Sequence, residues 1–457
     1  MTDNPKIFKI ITLGCKVNQY ESAYFNEALI RAGWRMAARN EPADAVIVNT
    51  CIVTQRAAHQ SRQAIRKAIR ENPRGRVGAV GCYAQVFPEE LAAIEGLGFI
   101  ADNRTKARVP DSLLRHVSGP GEGHPDFLLK PFESGDRFDI MEISCVPGRA
   151  RAYLKVQDGC ESFCTYCIVP FARGPLRSLR PWKAIGLLAR MAEQGCQEVV
   201  LTGINLGKYG LDLGNGNNLV SLLRRIGDEQ FPLRIRLSSL EPNEIGRDVI
   251  DMAVSEPWLC PHFHVPLQSG DDRVLRRMGR RYTVRDFASL VEVIHARIPY
   301  GAIGADVMVG FPGEDEAAHE NTCSLLKNLP VSYLHVFPFS PRPGTPASRF
   351  RPRVCPEEIK DRAARLRRLG EEKRLGFWQR CLHREFTVLA ERWESREKAL
   401  MQGRSDNYLP VLFTLPSGRG KGPYKVRMED IQGRKILGRV LGDANQPYIG
   451  QSPQVFL

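Results

Sequence analysis

The sequence predicts an α/β chain in three parts: a parallel-sheet domain, a longer β-α array and a small antiparallel barrel. Apolar runs alternate with segments of helical spacing over most of the length. At ~150 residues per domain, 457 residues also exceed one ordinary core. Beyond residue 382 the hydrophobic period changes, and short β-like runs replace the β-α alternation.

The first part is residues 6–117. Apolar runs at 7–13, 45–48 and 77–80 alternate with helical spacing at 21–32, 57–70 and 89–94. Continuous apolar strands are buried on both faces, so this pattern is a parallel sheet covered by helices. Gly, Pro and His crowd residues 118–125, which read as a linker or surface excursion.

The second part is residues 144–377. Strands are expected at 153–157, 198–202, 234–238, 262–266, 302–309 and 333–337, with helices such as 181–194 and 284–297 between most of them. Six right-handed β-α units with polar or Gly-rich strand ends predict a partial (β/α)6 barrel of the TIM type, open on one side to a large substrate. An open doubly wound sheet fits the same periodicity. The third part, 380–443, has β-like runs at 386–390, 409–413, 424–428 and 437–440, separated by Gly, Asn and Ser. A helix-patterned stretch at 356–381 leads into it, with Ile359, Ala363, Leu366 and Leu369 on one face and arginines around the rest.

With 43% hydrophobic and 25% charged residues the chain is a folded protein rather than a disordered one. No run approaches the ~18 apolar residues of a membrane span, and MTDNPKIFKIITLGC has no basic region followed by an apolar one and a cleavage site, so secretion is not expected. A cytoplasmic location without membrane attachment is expected, and the 12 cysteines there are ligands, nucleophiles or core residues rather than disulfides. A net charge of +14 calls for a polyanionic partner. Residues 342–398 carry 16 Lys/Arg against 9 Asp/Glu, a surplus of 7, which is half of that charge. A solvated helix face is the plainer reading of any single one of these residues.

Cys160, Cys164 and Cys167 are spaced C-x3-C-x2-C directly after a strand and beside Gly159. Thiolates at such spacing hold iron–sulfur clusters, and three ligands on a four-iron cube leave one iron open. Structural zinc would want four ligands, normally from two paired motifs, and no second C-x2-C occurs. Cys15, Cys51 and Cys82 each close an apolar run, in IITLGC, VIVNTC and VGAVGC. Strand ends of a parallel sheet share one edge, so the three can converge on a second cluster. Any one of them alone would read as a core cysteine. Cys145, Cys196, Cys260, Cys323, Cys355 and Cys381 share no such placement and are assigned to core or surface.

The cysteine loop, with Tyr166 before its last cysteine, resembles the signature of the radical S-adenosylmethionine (SAM) superfamily. End to end, the chain resembles the methylthiotransferase branch of that superfamily. The resemblance is carried by DGCESFCTYCIVPFARG, RIRLSSLEP, HFHVPLQSGDDRVLRRM, DVMVGFPGE and FSPRPGTPA, with GRSDNYLPV in the third part. TLGCKVNQYES is similar to the group that modifies threonylcarbamoyladenosine in tRNA. The isopentenyladenosine group usually has Gln and Met where Lys16 and Val17 stand.

The resemblance implies two [4Fe-4S] clusters, one on Cys160, Cys164 and Cys167 and an auxiliary one on Cys15, Cys51 and Cys82. It implies SAM as both radical source and methyl donor. By the same resemblance the cluster with the open iron would cleave SAM to a radical that abstracts or relays the hydrogen at carbon 2 of the adenine. The auxiliary cluster would carry the sulfur that becomes methylthio. Tyr166 is an expected cofactor contact, and so are the strand-end residues Thr202, Gly203, Asn205, Ser238, Ser239, Glu241, Gln268 and Ser269. Residues 310–313 would shape the backbone near the base. The expected substrate is N6-threonylcarbamoyladenosine at position 37 in a tRNA anticodon stem-loop. The third part would act as an RNA-binding TRAM barrel, and a monomer would draw on an external electron donor and sulfur source. Two alternatives are the same reaction on isopentenyladenosine and a non-catalytic iron–sulfur RNA-binding protein.

Overall fold

The computed structural model describes residues 5–115, 124–133, 135–144, 150–397, 399–415 and 422–444. Most of the expected linker at 118–125, and Cys145, lie outside the described residues. The chain divides into two compact units. One gathers the chain up to Ser144 with Lys155–Leu179 and Ser340–Arg349; the other gathers the stretch ending at Leu154, Arg180–Phe339 and the residues from Phe350 onward.

In the first unit six strands form one parallel sheet, ordered Arg35–Met36, Ile7–Thr12, Ala45–Thr50, Arg76–Gly81, Phe99–Ala101 and Asp126–Leu128. Ala45–Thr50 is buried along its whole length, as a central strand covered on both faces must be. Its side chains alternate between two cores. Val46 and Val48 join Ile65, Ala68 and Tyr83, whereas Ala45 and Ile47 join Phe8, Phe25 and Leu29. Each fully buried Val, Ile or Leu contributes about 1.5–3 kcal/mol. The first helix, Lys16–Arg31, starts earlier than its apolar spacing indicates because it buries Asn18 and Glu21 as well as Val17 and Tyr20. Apolar periodicity cannot register inward-facing polar residues.

The six strands expected in the second part are Arg151–Lys155, Glu198–Thr202, Arg234–Leu237, His262–Gln268, Ala302–Val309 and Tyr333–Pro338. They lie in two three-stranded sheets that keep sequence order, and a parallel bridge joins Ile235 of one sheet to Leu259, three residues before the first strand of the other. No reversal of strand order occurs, which is the partial barrel and not the doubly wound alternative. The helix Pro356–Cys381 leads to a closed barrel of Glu385–Ser395, Leu400–Ser405, Pro410–Thr414, Lys435–Asp443 and Pro423–Gln432. Its strand Leu400–Ser405 is not expected from sequence. Burial alternates along it, but the buried residues are Met401, Gly403 and Ser405, of which one is large and apolar.

Within the second unit a buried charge cluster ties the two barrels together. Glu198 accepts from Arg234 Nε at 2.7 Å and from Arg236 Nε at 2.9 Å. The other guanidinium nitrogens of these arginines donate to the carbonyls of Thr387, Arg404, Ser405 and Asp406 at 2.8–3.0 Å. Arginine suits this place because its planar fork serves a carboxylate and several carbonyls together. Among the described residues no helix is long and apolar enough to cross a membrane.

Candidate functional site

Parallel register brings the strand ends of the first unit level, with Thr12 opposite Asn49 and Thr50 opposite Gly81. Cys51 and Cys82 follow their strands immediately, and Cys15 caps the helix Lys16–Arg31. The three thiols stand close enough that charge on Cys82 acts on both of the others. Cys15 is exposed, and Arg173 lies near enough to act on its thiol. Burial, reinforced by Cys82, pushes the Cys51 thiol up to about 12. Gly14 makes this approach possible. Its φ is +95°, and a Cβ there would meet Cys51 Cβ at 2.8 Å and Sγ at 2.9 Å.

Behind these cysteines lies a polar network that sequence reasoning missed. Arg173 donates from Nε to Cys82 Sγ at 3.3 Å, from Nη1 to Glu21 at 2.7 Å and from Nη2 to Asn18 at 2.6 Å. Asn18 in turn donates to the carbonyls of Leu13 at 2.7 Å and Thr50 at 3.0 Å, pinning two of the three cysteine-bearing loops. Lys106 pairs with Glu21, and Lys155 bonds Asp158 at 2.9 Å. Burial opposes charge on Glu21, but Arg173, Lys106 and Lys155 outweigh it and hold the carboxyl at about 2. Burial likewise works against Arg173, while Cys82, Glu21 and Asp158 keep it firmly protonated. The available signals were Lys155 inside an apolar strand and the charged residues flanking the cysteine strings.

The loop with Cys160, Cys164 and Cys167 belongs to the same unit. It runs from Asp158 to the short helix Val169–Arg173, so Arg173 touches Cys82 from the end of this loop's own helix. Gly159 has φ +77°, and a Cβ there would strike the Pro175 carbonyl at 1.8 Å. That close approach lets Cys160 N donate to Gly174 O at 3.0 Å, while Cys167 N donates to Cys164 O at 2.9 Å. All three cysteines, and Tyr166 among them, are half-buried. From Ser340–Arg349, Ala347 N donates to Thr165 O at 2.8 Å and Ser340 Oγ accepts from Gln55 N at 2.9 Å.

Among the described residues neither cysteine set brings three donor atoms within 4.8 Å, as the ligands of a single ion would be. Thiolates bound to separate corners of an iron–sulfur cube stand farther apart, so the soft donors and their spacing both fit clusters. A buried guanidinium beside Cys82 also fits, since it offsets the negative charge of bound thiolates.

In the second unit the expected cofactor contacts lie at carboxyl ends of strands. Thr202 ends Glu198–Thr202, Ser238 follows Arg234–Leu237, and Gln268 ends His262–Gln268. Gly203 and Asn205 continue the first of these ends, Ser239 is exposed beside Ser238, and Ser269 is buried. Ser238 N donates to Leu201 O at 3.0 Å, so the first two ends adjoin. Ser238 Oγ and Gln268 Oε1 are buried without a hydrogen-bond partner among the described residues, which fits a polar ligand such as SAM. Burial raises the Glu241 carboxyl to about 7 although Arg280 pairs with it. Two arginines of the basic stretch are already matched: Arg362 with Glu314 at 3.1 Å, and Arg365 with Glu316 at 2.7 Å and Glu320 at 2.6 Å.

Residues 7–100 match the uncharacterized protein family UPF0004, and residues 154–326 match the Radical SAM superfamily. The threonylcarbamoyladenosine tRNA methylthiotransferase MtaB of Aquifex aeolicus is 37% identical, covering 83% of this chain and 91% of its own. Its namesake in Bacillus subtilis is 34% identical over 96% of this chain and 94% of its own. The chain belongs to the radical SAM tRNA methylthiotransferase family. As a radical SAM methylthiotransferase it is an iron–sulfur enzyme that uses SAM and acts on tRNA. Another relative is the tRNA-2-methylthio-N(6)-dimethylallyladenosine synthase of Dictyoglomus thermophilum, 33% identical over 90% of this chain and 92% of its own. Among solved structures, the radical S-adenosylmethionine methyltransferase TsrM of Kitasatospora setae has a TM-score of 0.55 at 16% identity, covering 75% of this chain and 77% of that one. That likeness concerns the fold alone.

Proposed function

We propose that this methylthiotransferase inserts a methylthio group at carbon 2 of N6-threonylcarbamoyladenosine at position 37 of tRNA, next to the anticodon, with two [4Fe-4S] clusters and SAM. The observation that carries the reading is the connection through Arg173, within one compact unit, of the Cys160–Cys167 loop to Cys82 of the sheet-edge set. In this reading Cys160, Cys164 and Cys167 hold the radical-generating cluster, and Cys15, Cys51 and Cys82 hold the sulfur-carrying one. When bound, the clusters and SAM supply the removal of an unactivated aromatic hydrogen and the delivery of methylated sulfur, which acid–base side chains cannot do.

The chain's own residues position and shield. Asn18 and Gly14 fix the spacing of the sheet-edge cysteines, and Arg173 balances their charge. Thr202, Gly203, Asn205, Ser238, Ser239, Glu241, Gln268 and Ser269 are the proposed SAM contacts at the strand ends, and Tyr166 is the proposed contact in the cysteine loop. Gly310 and Gly313, with φ of +78° and +88°, shape the loop offered to the adenine. The base must leave its stack to be reached, which a single-stranded anticodon loop permits. Exposed Lys360, Arg367 and Arg368 and the C-terminal barrel would hold phosphates.

The threonylcarbamoyl substrate is supported by the names of the relatives at 37% and 34% identity and by TLGCKVNQYES. Dimethylallyladenosine (the isopentenyl base) is the second reading, supported by synthases 33% identical over 90% and 97% of this chain. The division of labour is tested with anaerobically reconstituted variants. Cys160→Ala, Cys164→Ala or Cys167→Ala should abolish SAM cleavage. Cys15→Ala, Cys51→Ala or Cys82→Ala should keep cleavage and lose methylthiolation; loss of all cleavage in the second set would defeat the assignment.

A further inference from the structure

A separate group of donors lies on the second sheet of the partial barrel. His264 Nε2 is 2.9 Å from Asp306 Oδ1, and His335 Nδ1 is 3.3 Å from the same oxygen. Sheet register explains the convergence. Asp306 pairs directly with His335, and His264 pairs with Gly304, two residues before Asp306. With side chains alternating along a strand, the three project from one face. One donor atom from each lies within 4.8 Å of the other two, the sole such grouping among the described residues.

We propose that His264, Asp306 and His335 form a binding site for one divalent transition-metal ion, distinct from both cysteine sets. Two imidazoles and one carboxylate on a single face are a recurrent donor set for zinc, manganese and iron(II), with the remaining coordination positions open. A second observation points the same way. The Tyr333 hydroxyl lies 3.2 Å from His264 Nδ1 and 2.8 Å from His262 Nε2. It occupies the rear nitrogen of His264 and so turns Nε2 toward Asp306, the outer-shell arrangement that orients metal-bound histidines. Tyr333 is itself held in place, packing over Gly304, where a Cβ would meet its ring at 2.2 Å. The His335 side chain is 62% exposed and Asp306 24%, so an ion can enter and an exogenous oxygen ligand can complete its shell.

Zinc serves as the probe because its X-ray edge is separate from that of cluster iron. Cluster-loaded protein is stripped with a mild chelator, given one equivalent of Zn2+, gel-filtered and measured at the zinc edge. The proposal expects about one retained zinc per chain, with nitrogen and oxygen at roughly 2.0–2.1 Å and imidazole outer-shell scattering. His335→Gln, at an exposed position, should abolish retention. Tyr333→Phe should weaken it by about 10- to 100-fold. Failure to retain zinc, a sulfur shell at about 2.3 Å, or unchanged retention in His335→Gln would each overturn the site.

Discussion

Arg173 donates from Nε to the sulfur of Cys82 at 3.3 Å, although the two residues come from different cysteine strings. Arg173 ends the short helix that follows Cys167, while Cys82 begins the helix that follows the strand Arg76–Gly81. One buried side chain thus joins the two candidate centres and also carries the ion pair to Glu21.

Replacing Arg173 should therefore act on stability and on metal content together. Arg173→Met removes one of the three cations around buried Glu21 and leaves Lys106 and Lys155, a loss of about 1.5–3 kcal/mol. Arg173→Lys keeps the charge but not the fork and should fall between. Denaturant unfolding of cluster-free protein checks the order, and equal stability of all three would contradict it.

Glu21 gives a pH signature. Its carboxyl is held at about 2 against an ordinary 4.5, so the folded state favours the ionised form. The stabilisation is fully present above pH 4.5 and is lost as pH falls from there toward 2, up to about 3 kcal/mol. Asp158 shares the network and is depressed as well, by Lys155, Arg173 and Arg177 against the effect of burial. Melts of cluster-free protein should show Tm falling across that window, with a shallower fall in Glu21→Gln.

Gly14→Ala should damage one centre and spare the other. The added Cβ sits in the space of Cys51, and a φ of +95° strains any L side chain. Iron analysis of the reconstituted variant should give about half the wild-type iron, with SAM cleavage retained. Full iron content would contradict the role of Gly14 in spacing the sheet-edge cysteines.

Binding to tRNA should weaken with salt. A handful of phosphate contacts lowers affinity on the order of 10- to 100-fold between 50 and 200 mM salt. Lys360→Gln and Arg367→Gln together should reduce the slope measured by filter binding.

Ala302–Val309, buried except at Asp306, was readable from its largely apolar run, and its bounds coincide with the expectation. Leu400–Ser405 was hidden because a small barrel buries Gly403 and Ser405 as readily as Met401. The cysteines announced themselves by spacing and by placement at strand ends. Their support did not. Asn18, Glu21, Lys106 and Arg173 are charged or polar residues whose burial depends on partners distant in sequence, and no local pattern encodes that pairing. The His264, Asp306 and His335 grouping was hidden for the same reason, since strand register alone brings it together.

The substrate assignment is tested most directly by nucleoside mass spectrometry of tRNA from cells with and without this enzyme. The account predicts that 2-methylthio-N6-threonylcarbamoyladenosine disappears without it, that the unmodified threonylcarbamoyladenosine accumulates, and that the wild-type gene restores the product while Cys82→Ala does not. An unchanged level of the methylthio nucleoside, or loss of the dimethylallyl counterpart instead, would contradict it.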